Sequence, residues 1–139
     1  MIADADESVA PISYRVDVTR RVVYFTLRGD VTFAGMCAAQ DAYLADPLYE
    51  PGMAIYVDCR VLTSIPSREE IRKMALDRLY RGVAMPTGRA AIVVMTKMGQ
   101  EYAAAWELFA GPQEGALSVF TTHAEAHAWL GVPVPKTLD

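Results

Sequence analysis

The stretch "MAIYVDCRVLTSIPSREEIRKMA", Met53 to Ala75, decides the fold. Met53 to Asp58 is almost wholly apolar and rich in β-branched and aromatic types, which marks a short strand buried on both faces. From Ser67 to Tyr80 the period changes, and Ile71, Met74, Ala75 and Leu79 recur at helical spacing. Between the two lie Asp58, read as the residue just past the strand end, and a loop that runs into Pro66. A strand passing through a loop into a helix is half of a strand–helix–strand unit, and such units build parallel sheets.

Working outward, "DPLYEPG" (Asp46 to Gly52) breaks the segment upstream, because Pro47, Pro51 and Gly52 cannot continue a helix. Before it, Thr32 is placed to cap a helix with Phe33, Met36, Cys37, Gln40 and Leu44 on one side. Earlier still, "ISYRVDV" (Ile12 to Val18) alternates and "RVVYFTLRG" (Arg21 to Gly29) is rich in strand formers, so together they read as an antiparallel hairpin. Downstream, "RAAIVVMT" (Arg89 to Thr96) is a second buried strand, followed by the helix "GQEYAAAWELFAG" closed by Gly111 and Pro112. "ALSVF" (Ala116 to Phe120) is the last strand. "TTHAEAHAWL" is the last helix, with Thr122 and Glu125 spaced as a capping box. The order β-β-α-β-α-β-α-β-α predicts an α/β fold, a mainly parallel sheet with four helices and an antiparallel strand at one edge. Residues 1–11 read as a flexible N-terminus, 12–132 as a single domain and 133–139 as a tail.

Composition agrees with one compact globule: 139 residues, 22% charged and 53% hydrophobic. A net charge of −4 with no block of like charges argues against nucleic acid as a partner. Cys37 and Cys59 form no Cys-x-x-Cys and read as reduced thiols. "MIADADESVAP" lacks the basic and apolar regions of a signal peptide, and the apolar run Ala90 to Met95 is far too short to span a bilayer. A cytoplasmic protein is expected.

The element order, taken with "GDVTFAG", "ADPLYEPGMAIYVDCRVLTSIPSREEIRKMA", "GRAAIVV" and "VFTTHAEAHAWL", resembles the SpoIIAA-like branch of the STAS domain superfamily over roughly Tyr14 to Leu130. The resemblance implies that fold, a non-enzymatic role, and either partner switching or the binding of apolar ligands or membrane surfaces. Partner-switching members carry a phosphorylated serine in an Asp-Ser-Ser-Gly stretch at a helix start. This chain offers Pro66, Ser67, Arg68 and Glu69 there, keeping only the first serine. Ser67 stands three residues before Glu70, the spacing of a capping box, so its first expected role is to start the helix. Its role as a phosphoacceptor is the alternative.

Catalytic chemistry is sparse. No Gly-x-Ser-x-Gly elbow, dinucleotide fingerprint or P-loop occurs, and no cofactor is expected. His123 and His127 lie four apart, as metal-binding pairs do, but a third ligand is not evident, so no metal is expected and both read as solvent-facing or partly packed. Asp30 and Asp58 read as strand-end acids, with Asp58 bracing its loop or serving a small carboxylate enzyme.

The sharper signal is apolar. Tyr102, Trp106 and Phe109 share one stripe of a helix, while Ala104, Ala105 and Leu108 form a second apolar surface. Either the stripe faces the core or it faces outward as a pocket wall, a homodimer face or a membrane-resting surface. Met98 and Lys97 precede it, and Met53, Met74, Met85 and Met95 gather around the middle strands, as in adaptable apolar walls. The loop "YRGVAMPTG" (Tyr80 to Gly88) is placed to act as a flap. The reading is a non-enzymatic domain that holds an apolar or lipid-like ligand, or rests transiently on a membrane, through Tyr102, Trp106, Phe109, Met98 and Lys97. A regulatory protein docking at Ser67 is the alternative.

Overall fold

The computed structural model describes residues 10–80, 89–109 and 117–136. Ile12–Asp17 (β1) and Val22–Asp30 (β2) pair antiparallel, Ile12 opposite Leu27 and Asp17 opposite Val22. There follow Phe33–Ala45 (α1), Ala54–Ser64 (β3), Arg68–Tyr80 (α2), Ala90–Val94 (β4), Lys97–Phe109 (α3), Leu117–Phe120 (β5) and His123–Leu130 (α4). The element order is the expected one. The five strands lie side by side in chain order, with antiparallel β1 at one edge and the other four mutually parallel.

That order dictates where the helices go. Strand–helix–strand crossovers are right-handed almost without exception, so in a sheet that grows in one direction all three crossover helices fall on one face. Met36 of α1, Met74 of α2 and Tyr102 of α3 accordingly share a core with Leu27, Cys59 and Ile92 of the sheet. α4 follows the last strand and covers the opposite face, where Ala126 packs with Val22, Tyr24, Tyr56, Ala91 and Val93. β4 is buried on both faces throughout, as its unbroken apolar run requires.

β3 is longer than its sequence suggests. It does not end at Asp58 but runs to Ser64, pairing with β2 as far as Asp30. The simple alternation fails because the register shifts twice beyond Leu27, around Gly29, which adopts φ +66°. The bulge brings Leu62, three residues after Cys59, back to the same core. Asp58 is therefore mid-strand, 1% exposed, and braces no loop.

The helix starts follow their caps. Thr32 accepts from Gly35 N at 3.0 Å, Thr96 from Gly99 N at 3.1 Å and Thr122 from Glu125 N at 3.1 Å. Gly131, left-handed at φ +78°, ends α4. The expected closure of α3 at Gly111 and Pro112 and the Tyr80 to Gly88 flap fall outside the described residues, apart from Tyr80 as the last residue of α2.

Candidate functional site

α3 turns its aromatic stripe inward. Tyr102 and Trp106 are 3% and 7% exposed, and Phe109 is half-buried against the same core. The second apolar surface divides: Ala105 is buried with the stripe, whereas Ala104 and Leu108 face solvent. Packing explains the choice, since burying large rings removes far more apolar area from water than burying alanines. Met98 is half-buried near the start of the helix and Lys97 is exposed.

The stripe does more than fill a core. α1 packs beside β1, while α3 sits over β3 and β4, and a cavity of about 90 Å³ lies between them. Phe25, Ile55, Val57 and Ile92 form its floor. Ala39, Gln40 and Tyr43 of α1 form one wall, Tyr102 and Trp106 of α3 the other, and Met74 of α2 closes one side. Among the described lining residues none carries a charge. The indole Nε1 of Trp106 is buried and has no hydrogen-bond partner among the described residues. Of the methionines thought to serve such a wall, Met74 lines it, Met53 is in the core beneath α1, Met95 is exposed, and Met85 lies outside the described residues.

The opposite face holds a polar cluster that links α4 to the sheet. Tyr24 and Tyr56 are direct partners across β2 and β3, and the two histidines of α4 sit on them. Tyr24 Oη lies 2.9 Å from His127 Nε2, and Tyr56 Oη lies 2.6 Å from His123 Nδ1. His127 Nδ1 is 2.7 Å from the His123 carbonyl, which can only accept, so Nδ1 carries the proton and Tyr24 donates to Nε2. His127 is 1% exposed and His123 is partly buried, so of the two expected readings, solvent-facing or partly packed, the packed one holds. The reason is the four-residue spacing, which sets both rings on the side of α4 that packs on the sheet. Among the described residues no grouping of His, Cys, Asp and Glu is suited to a metal ion.

Asp58 lies beside this pair. Its Oδ2 is 2.8 Å from Arg60 Nε and 3.8 Å from His123 Nε2. The first contact is an ion pair without the alignment of a hydrogen bond, and the second is too long for one. Burial pushes the carboxyl above its usual range, against the opposing charges of Arg60 and His123. Burial likewise raises the Tyr24 hydroxyl to about 12, and it raises Tyr56 too, where the Asp58 charge adds to it. The neighbouring Cys59 thiol is pushed up to about 12 by burial and then by Asp58, which leaves no nucleophilic thiolate at neutral pH. Cys37 is half-buried and also unbridged. The cluster holds a helix in place through protonated hydroxyls, and its acid is enclosed beside Arg60.

Ser67 is an N-cap. Its Oγ accepts from Glu70 N at 3.1 Å, and its own N–H donates to Glu70 Oε1 at 3.0 Å, closing both halves of the capping box. Ser64 Oγ donates to Asp30 across the ends of β3 and β2, so Asp30 ties strands together.

Reading the sequence alone missed Tyr24, Tyr56 and Arg60, although Tyr56, Asp58 and Arg60 alternate onto one strand face. It set Gln40 on one side of its helix but missed Ala39, and the place of both in the cavity depends on how far apart α1 and α3 sit.

A five-stranded mixed sheet carrying three helices on one face and one on the other is the SpoIIAA-like fold. An uncharacterized protein of the DUF3478 family from Shewanella loihica PV-4, described as having that fold, superposes with a TM-score of 0.58. It is 17% identical, and the match covers 88% of this chain and 96% of the other. No protein-family model and no curated protein matches the chain. No helix among the described residues is long and apolar enough to cross a membrane.

Proposed function

We propose that the chain is a non-enzymatic binding domain that seats a compact apolar ligand in the cavity between α1 and α3. The observation that carries this reading is that the described residues lining that cavity, Tyr102 and Trp106 among them, are uncharged. Its volume of about 90 Å³ is below the ~150 Å³ of an engineered apolar cavity that binds benzene. A whole lipid therefore does not fit, and the guest is a smaller apolar group such as the end of a chain. Resting on a membrane has weaker support, because Tyr102 and Trp106 are buried and Leu108 is the large apolar side chain that α3 exposes. Docking at Ser67 has weaker support too, since its hydroxyl and N–H are both engaged in the helix cap.

The test is native mass spectrometry of the purified protein beside Ala39→Leu, which fills the cavity. An added mass that vanishes on denaturation and is missing from the variant is expected. The same added mass on both proteins, or on neither, contradicts the reading.

A further inference from the structure

We propose that the sheet face beside α4 binds a phosphate group between Arg28 of β2 and Arg60 of β3. This site lies on the side of the sheet away from the α1–α3 cavity and is independent of the ligand reading above. Alternation fixes its members. Ser13 pairs with Thr26, Arg15 with Tyr24 and Thr26 with Asp58, so all of these share the face of Tyr24 and Tyr56. Arg28 and Arg60 each come directly after the paired residues Leu27 and Cys59, whose side chains enter the opposite core. The two arginines therefore stand side by side on neighbouring strands, about 5 Å apart at the backbone. α4 packs over β4 and β5, and Ser13, Arg15 and Arg28 are exposed.

Like charges side by side on a sheet are destabilising unless something offsets them. The acids of this face are already engaged. Arg60 Nε lies 2.8 Å from Asp58 Oδ2, and Asp17 Oδ2 lies 3.0 Å from Arg20 Nη1 and 3.8 Å from Arg15 Nη1. Asp30, beyond Gly29, accepts from Ser64. Arg28 makes no ion pair with a described residue. Burial raises the Asp58 carboxyl while Arg60, His123 and Arg28 oppose it, which agrees with Arg28 lying on this side. Four arginines, at 15, 20, 28 and 60, against Asp17 and Asp58 leave two positive charges uncompensated, on a chain whose net charge is −4. A phosphate group brings a charge of about −1.5 to −2 at neutral pH and three acceptor oxygens, and guanidinium forks fit it bidentately. Arg60 Nε is buried against Asp58, whereas its side chain is 33% exposed and its Nη groups are not enclosed. Thr26, next to Arg28 on this face, adds a hydroxyl donor.

Inorganic phosphate and methyl phosphate are the probes, each compared with sodium chloride at matched ionic strength and about pH 7.5, where both are dianions. The readout is NMR of backbone amide and arginine Nε–H signals. Both phosphates are expected to move the Arg28 and Arg60 signals saturably, and chloride is not. In Arg28→Gln the affinity is expected to fall roughly tenfold, the worth of one hydrogen bond to a charged group. Arg72→Gln, which removes a partner of Glu69 on α2, is expected to bind as the wild type does. Tighter binding of the ester supports a site for phosphorylated ligands, and equal or weaker binding supports a site for the free ion. Shifts that do not saturate, that chloride reproduces, or that Arg28→Gln leaves unchanged overturn the proposal. The comparison of phosphate with chloride on the wild type decides the matter even if Arg28→Gln fails to fold.

Discussion

Ser67 shows how a single side chain can be read correctly from spacing alone. In a serine three residues before a glutamate, the hydroxyl accepts from the Glu70 N–H and the Glu70 carboxylate accepts from the Ser67 N–H. Two of the free N–H groups at the helix start are thereby satisfied, and both bonds are present. Ser67→Ala removes one of them and is expected to lower unfolding stability by about 1 kcal/mol in a urea titration. Ligand binding should be unchanged, because Ser67 does not line the cavity. A variant as stable as the wild type would leave the cap without an energetic role. Asp58 shows the opposite. Its type and position suggested a loop acid, but whether a residue lies past a strand or within it depends on the partner strand. Here the partner carries Gly29 at a positive φ, and the ladder continues through a bulge.

Elements were legible where their own period defined them. The hairpin, β4 and the inward choice open to α3 follow from alternation, apolar runs and ring size. α4 was legible as a helix but not as a titratable clamp, because Tyr24 and Tyr56 come from strands distant in sequence. Burial lowers the His127 pKa below its ordinary 6.5, with the backbone bond to His123 opposing that shift. The sign follows: the unfolded chain binds the proton more readily, so the contribution of His127 is complete above about pH 6.5 and is lost as pH falls from there through the folded value. Asp58, raised above 3.8, runs the other way, since its buried charge is relieved on acidification. Tyr24, Arg20 and His123 surround His127 and Arg60 faces Asp58, so the loss is local to the α4 face. Amide exchange of α4, corrected for its intrinsic pH dependence, is expected to quicken between pH 7.5 and 5.5 relative to β4. Equal protection of α4 at the two values would contradict this clamp.

At the scale of the whole molecule, the order of the strands explains why a cavity exists at all. Strands added in chain order place three crossover helices on one face, and α4 closes the other. On the crowded face α1 settles at the β1 edge and α3 over the middle strands, and the gap between them is walled by whatever each helix presents. Sequence periodicity supplied the aromatic half of that wall. It set Met36 and Gln40 on one side of α1 but did not make that side a cavity wall, since helix separation is set by the whole assembly and not by any one period. The central claim is that this gap takes a compact apolar guest. Methyl NMR of the wild type and Ala39→Leu, titrated with xenon, a compact apolar guest of such cavities, tests it most directly. Saturable shifts of Leu117 and Met74 methyls in the wild type, absent in a folded Ala39→Leu, are the result the cavity predicts. Shifts that fail to saturate, or that persist unchanged with the cavity filled, would contradict it.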